Sequence, residues 1–259
     1  MPPLLQVANV KKSFLQPNQG LFRHKKTTVI KGVSFDLKQG ECLGIIGESG
    51  SGKSTLGKLI LGLEKPDSGK IYFNGQDIST RAWKKSAMRK NISAVFQDYN
   101  ASVNPYFTVA QIIAEPLDIY EKLAKNDRKR RINALLEQVG LDSSFYERLP
   151  HEMSGGQLQR VCIARAIACS PQFILFDEAV SSLDISVQTQ ILALLADLQK
   201  ELNLTSIFIT HDLTTITYLC DKIAFFYKGE IVEYIDKIDQ LSQVKNPYSK
   251  QLLESILGF

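Results

Sequence analysis

Residues 42–55 read CLGIIGESGSGKST, and no other stretch limits the fold so tightly. CLGII is short and apolar enough to be a strand buried on both faces. Glycines then stand at 47, 50 and 52, followed by Lys53, Ser54 and Thr55, which is the G-x-x-x-x-G-K-[ST] spacing. The glycines let backbone N–H groups turn inward, and the run STLGKLILGL reads as a helix whose N-terminus adds further donors. Strand, glycine loop and helix in this order form a phosphate cradle. Gly47, Glu48, Ser49, Gly50, Ser51, Gly52, Lys53, Ser54 and Thr55 would surround a nucleotide's phosphates. Lys53 would set a cation on the β- and γ-phosphates, and Ser54 would offer its hydroxyl to Mg²⁺.

The rest of the chain suits an α/β core built around that loop. LLQVANV and KTTVIKGVSFDLKQGECLGIIG read as short strands, with LQPNQGLFRHKK between them as an exposed polar loop. GKIYFNG is a strand bounded by glycines. FILFD and TSIFITHD are continuous apolar runs, the pattern of strands inside a parallel sheet. The middle differs. TVAQIIAEPL and RKRRINALLEQVGL carry apolar residues at helical spacing, including Ile132, Leu135, Leu136 and Val139. A helical subdomain at about 98–165, inserted in one domain spanning 1–259, is the expected organisation. ISVQTQILALLADLQKEL reads as a long helix, and Lys129-Arg130-Arg131 as a solvated helix face.

Composition excludes several classes. Apolar residues make up 44% of the chain, too many for disorder, and a net charge of +4 is too mild to mark a nucleic-acid footprint. Cys42, Cys162, Cys169 and Cys220 form no CxxC pair, which argues against a zinc or iron–sulfur site; buried, reduced thiols are expected, as in a cytosolic protein. The opening MPPLLQVANV lacks the basic start and long apolar core of a signal peptide. No run approaches the ~18 apolar residues of a membrane span, so a role at a membrane requires another chain to cross it.

Two further stretches carry chemistry. FILFDE delivers Asp177 and Glu178 to the C-terminal edge of an apolar strand, where ligands of open α/β sheets gather. Asp177 is placed to organise Mg²⁺, and Glu178 is then available as a general base toward water. HEMSGGQLQR, at 151–160, is a second glycine-bearing helix start. Ser154 with the N–H groups of Gly155 and Gly156 forms a second anion site; the plain alternative is an ordinary Ser-Gly-Gly helix cap.

In order, GESGSGKST, Gln97 after ISAVF, MSGGQLQR, FILFDE, SSLD and His211 in ITHD resemble the ATPase subunit of ABC transporters, over nearly the whole chain. The resemblance implies a phosphate-loop ABC ATPase core with a mainly parallel sheet, an N-terminal antiparallel β subdomain and the inserted helical subdomain. It implies ATP and Mg²⁺, with Ser54, Gln97 and Asp177 toward the metal. It also implies that Ser154, Gly155, Gly156 and Gln157 face the γ-phosphate held by a second ATPase subunit in a head-to-tail dimer. Gln97 would also contact the attacking water, and Glu178 would polarise it. His211 would hydrogen-bond the γ-phosphate. Asp184 would reach across the dimer, with an N-cap on ISVQTQ as its other reading. Phe14, in VKKSF, would stack on adenine, a core phenylalanine being the alternative. Met153 stands where leucine is commoner, and DEAVSSLD replaces the commoner Asp-Glu-Pro-Thr-Ser-Ala-Leu-Asp; both carboxylates remain.

A single ATPase domain without a membrane part resembles importers assembled from separate subunits. Such a chain sits peripherally on the cytoplasmic face of the membrane, with two permease subunits, a second ATPase chain and an extracytoplasmic substrate-binding protein. LQPNQGLFRHKKTTVIKGVSF, VFQDYNASVNP and NPYSKQLLESI are similar to segments of peptide and nickel importer ATPases. DEAVSSLD and GGQLQRVCIARA look most like the nickel-uptake branch. The expectation is therefore an ATPase powering import of nickel or a metal–metallophore complex, with a short-peptide importer as the alternative. A soluble ABC-type ATPase acting on nucleic acid or ribosomes is disfavoured, since such chains carry long coiled-coil insertions or two ATPase domains.

Overall fold

Leu5 and Val7 of strand β1 (Leu5–Gln16) point alternately into a core, and the period then slips. Asn9 takes φ +48° and the pairing shifts register, so the next buried residue is Val10. The computed structural model to which this strand belongs describes residues 2–16, 25–181 and 183–257. They fall into two units, residues 1–86 with 207–259, and residues 87–206.

Antiparallel to β1 runs β2 (Lys25–Leu37), followed by β3 (Cys42–Ile46) and α1 (Lys53–Ile60). Next come β4 (Ser68–Phe73), β5 (Gln76–Asp77) and α2 (Arg81–Lys84). The order β2-β1-β4-β5 makes the expected antiparallel N-terminal sheet. Leu15, Gln16, Lys25 and Lys26, read from sequence as loop, are strand residues; positions 17–24 of that stretch lie outside the described residues.

The second unit holds β6 (Ile92–Phe96), α3 (Val109–Tyr120), α4 (Lys125–Gln138), α5 (Gly155–Ile167), β7 (Phe173–Asp177) and α6 (Ile185–Leu202). Strands β6 and β7 pair in parallel, with Phe96 opposite Asp177. Helix α3 begins in a capping box between Thr108 and Gln111 and continues through Pro116. Proline removes one hydrogen bond there, but Ile112, Ile113 and Leu117 remain buried on the inner face and hold the helix together. The basic run is solvated only in part. Lys129 and Arg130 are exposed, whereas Arg131 turns back and donates to the Ala168 carbonyl at 3.0 Å, satisfying an acceptor at the end of α5.

The chain returns to the first unit through β8 (Thr205–Thr210), α7 (Leu213–Leu219), β9 (Lys222–Tyr227), β10 (Glu230–Ile235) and α8 (Pro247–Leu257). β9 pairs with β3 in parallel and with β10 antiparallel, and β8 lies on the other side of β3. Strands β3 and β8 are buried along their whole length, as continuous apolar runs require. Gly44 in β3 is obligatory, since a Cβ there would sit 2.6 Å from Ile216 of α7. All four cysteines are free and buried. Burial, then the Cys42 thiol 3.2 Å away and the Asp221 carboxylate, push the Cys220 thiol well above its usual range, so it stays protonated. Among the described residues no helix is long and apolar enough to cross a membrane, and no cluster of three or more His, Cys, Asp or Glu could hold a metal.

Candidate functional site: two glycine cradles

The loop between β3 and α1 is set by its glycines. Gly50 and Gly52 take φ of +77° and +110°, where a side chain is strained, and Gly52 begins α1 without any side-chain cap. Gly47 is required for space, since a Cβ would lie 2.0 Å from the Phe226 carbonyl oxygen. Lys53 is only 6% exposed and its ammonium donates to the carbonyls of Gly47 at 2.6 Å and Glu48 at 2.9 Å. The cation therefore lies over the loop's own backbone. The Ser51 hydroxyl is buried with no hydrogen-bond partner among the described residues, and a buried polar atom left so costs about 1–3 kcal/mol. An anionic ligand in the cradle is the kind of group that relieves it. Ser54 and Thr55 stand in the first turn of α1, at the helix end that faces the loop. Ser49 is exposed at the loop's tip.

Two other predicted residues belong to this unit. His211 follows β8 directly and is exposed, and Asp212 beside it caps α7. Burial would raise the Asp212 carboxyl. Hydrogen bonds from the Thr215 hydroxyl and from the Thr214 and Thr215 amides outweigh that and hold it below the ordinary carboxylate range. Phe14 is 38% exposed on β1 with the Lys12 ammonium 5.1 Å from its ring, so it is a surface ring and not a core one.

In the second unit, β6 and β7 end side by side, and their ends carry Gln97, Asp177 and Glu178. The Gln97 amide approaches the Ser181 hydroxyl at 3.4 Å, and that hydroxyl donates to the Glu178 carbonyl at 3.0 Å. Glu178 has φ +52°, a left-handed conformation that costs a non-glycine residue of order 1 kcal/mol. The turn that follows is gripped from α5. Gln159 is wholly buried, and its side-chain amide donates to the Ala179 carbonyl at 2.7 Å.

The second cradle is the start of α5. Ser154 is its N-cap: the hydroxyl accepts from the Gln157 amide at 3.3 Å, while the Gln157 side chain accepts from the Ser154 amide at 3.0 Å. The helix-cap reading thus holds. It does not displace the anion reading, because a hydroxyl that accepts still has its own proton to donate. Gly155 and Gly156, the first two helical residues, have amides with no acceptor inside the helix. Both glycines are demanded by neighbours. A Cβ on Gly155 would lie 2.6 Å from the Tyr99 hydroxyl, and one on Gly156 would lie 2.4 Å from Val187. Asp184 stands at the N-cap position of α6, but its side chain makes no capping hydrogen bond. The alternative reading of Asp184 as a cap on ISVQTQ does not hold, and the residue is exposed.

Gln159, Tyr99 and Tyr248 are the residues that the sequence reading passed over. Gln159 sits inside the quoted GGQLQR, Tyr99 inside VFQDYN and Tyr248 inside NPYSK, so each was in view as part of a motif but without a contact.

Comparison with known proteins gives a consistent result. The family model described as ABC transporter matches residues 30–181. The chain is 44% identical to the oligopeptide transport ATP-binding protein AppF of Bacillus subtilis, over 98% of this chain and 78% of that one. It is also 44% identical to the metal-staphylopine import system ATP-binding protein CntF of Staphylococcus aureus, over 99% of this chain and 100% of that one. Among solved structures, the dimeric post-hydrolysis state of the ATP-binding cassette MJ0796 bound to ADP and Pi superimposes with a TM-score of 0.79. That match has 29% identity and covers 90% of this chain and 98% of that one.

Proposed function

The chain belongs to the ABC transporter family as an ATP-hydrolysing importer subunit, and on that premise we propose that its cargo is nickel or a metal–metallophore complex. The observation that carries this reading is the end-to-end match to a metal-staphylopine import ATPase, which this chain covers over 100% of its length. The DEAVSSLD and GGQLQRVCIARA segments support it. Equal identity to AppF favours the second reading, a short-peptide importer. Deleting the gene and measuring cellular metal decides between them. Loss of metallophore-dependent metal uptake is expected; normal metal content with lost growth on short peptides overturns the assignment.

Residue roles follow from the same premise. Lys53 and the amides of residues 47–55 hold the ATP phosphates, a role that suits a buried ammonium and an unsatisfied Ser51 hydroxyl. Ser54, Gln97 and Asp177 offer oxygen donors, the kind Mg²⁺ takes, and the ion when bound neutralises phosphate charge. Glu178 accepts a proton from the water that attacks the γ-phosphorus, and His211 orients the γ-phosphate. Phe14 offers its exposed ring to adenine. Ser154, Gly155, Gly156 and Gln157 receive the nucleotide of a second ATPase subunit in a head-to-tail dimer, and Asp184 reaches across it. Two permease subunits anchor the pair peripherally at the cytoplasmic face of the membrane, and a substrate-binding protein delivers the cargo. The helical subdomain of about 98–165 meets the permease near Gln97–Phe107, where Tyr106 is 86% exposed.

A further inference from the structure

The motif NPYSKQLLESI has so far served only as a likeness, yet its tyrosine touches the phosphate loop. The Tyr248 phenol oxygen accepts the Glu48 N–H at 3.0 Å, across 200 positions of sequence. The phenol is itself held in place. Its ring lies 4.2 Å from that of Tyr227, centroid to centroid, at an interplanar angle of 31°. The Asn246 side-chain oxygen accepts the Tyr248 amide at 2.9 Å, capping α8 with Pro247 in the first helical position. The Glu233 carboxylate on β10 accepts the amides of Lys245 and Asn246 at 2.6 and 3.3 Å. Asn246 also donates to the Val232 carbonyl at 3.3 Å. Each letter of NPY thus has a structural task, and the three together aim one hydroxyl at Glu48.

Glu48 is where such an anchor has most effect. The loop beyond it depends on two glycines at positive φ, which are permissive and therefore soft. Gly47 is wedged against Phe226, and Lys53 draws in the Glu48 carbonyl at 2.9 Å. Tyr248 accepts the Glu48 amide, so both backbone polar groups of Glu48 are held. A ligand that needs several amides aimed at once binds better to a loop already fixed in shape. We propose that Tyr248 is a positioning residue for the phosphate loop, so that the C-terminal segment sets the affinity for ATP. The proposal rests on the reading of this loop as the ATP site.

Tyr248→Phe keeps the ring and its stacking on Tyr227 and removes only the acceptor. Calorimetric titration of the full chain with Mg-ATP should show the Kd weakened about three- to tenfold, the worth of one hydrogen bond. The melting midpoint without nucleotide should fall by no more than about 2–4 °C, the worth of one hydrogen bond with the packing retained. Deuterium exchange at the Glu48 amide should become faster. An unchanged Kd overturns the proposal whatever the exchange shows, since Tyr248 would then be a structural contact alone. A fall in melting midpoint with unchanged Kd does the same. Lys53→Ala, titrated in parallel, separates the two levels. If it still binds ATP normally, the loop is not the ATP site; if it loses ATP while Tyr248→Phe does not, only the role of Tyr248 falls.

Discussion

The two glycine cradles are both helix starts, yet they are built on opposite principles. Before α1 the glycines supply backbone geometry: φ of +77° and +110° at Gly50 and Gly52, no side-chain cap, and a buried lysine over the loop. At α5 the cap is an ordinary capping box, and the glycines supply room for Tyr99 and Val187. One cradle is a loop bent by glycines around a lysine, whereas the other is the open end of a helix. In the proposed function the loop holds this chain's own nucleotide, and the helix end, with two amides and a hydroxyl, meets a nucleotide brought by a second subunit.

Variants can break that contrast, beginning with the largest effect. Glu178→Gln should slow ATP hydrolysis by ~10²–10⁴-fold in a reconstituted ATPase pair while keeping ATP affinity, and should accumulate an ATP-dependent dimer on size exclusion. Adding Ser154→Arg should dissolve that dimer and leave the chain's own ATP binding intact; a dimer that persists means the α5 cradle serves no neighbour. Lys53→Ala comes next, with an expected loss of about 100-fold in ATP affinity, the upper range for a charged hydrogen-bond partner. The same titration on Ser154→Arg should show no loss.

The glycines sharpen the comparison at the level of stability. Gly156→Ala should lower the melting midpoint, and Val187→Ala in the same chain should recover most of it, because the obstacle is a side chain on a half-buried helix face. Gly52→Ala should resist rescue by Val29→Ala, since its strain of ~1–2 kcal/mol lies in φ. Rescue of both, or of neither, would erase the distinction between the cradles.

The smallest effect concerns a third helix start. Asp212→Ala should cost about 1 kcal/mol at pH 7 through loss of the α7 cap. The folded Asp212 carboxyl lies below its ordinary value, so its stabilisation is complete above the unfolded pKa near 4 and fades as pH falls through the folded one. The gap between wild type and variant, followed by thermal melts, should close in acid. A gap that is constant down to pH 2 would show that the carboxylate charge plays no part.

The elements that carry chemistry were legible because their signals are local. CLGII, FILFD and TSIFIT became fully or almost fully buried strands, and ISVQTQILALLADLQKEL became α6 without a residue to spare at either end. TVAQIIAEPL reads as a helix despite Pro116 and became part of α3, where the packing of Ile112, Ile113 and Leu117 outweighs one missing hydrogen bond. Asp184 looked like a cap by type and position but does not cap. What could not be read were pairings between distant residues: Tyr248 with Glu48, Gln159 with Ala179, Tyr99 against Gly155. Each depends on where two separate elements meet, and no window of sequence contains both.

The first unit is split in the chain, and the second is contiguous. On the ribosome that means residues 87–206 are complete while more than a third of the first unit, residues 207–259, is still to be made. At ~5–20 residues per second, the stretch 207–259 takes about three to ten seconds more. For about the first third of that interval β3, apolar on both faces, is without its parallel partner β9. A nascent chain that stalls short of Lys222 therefore has β8 but leaves the other edge of β3 open, the kind of surface that chaperones capture and that aggregates grow from.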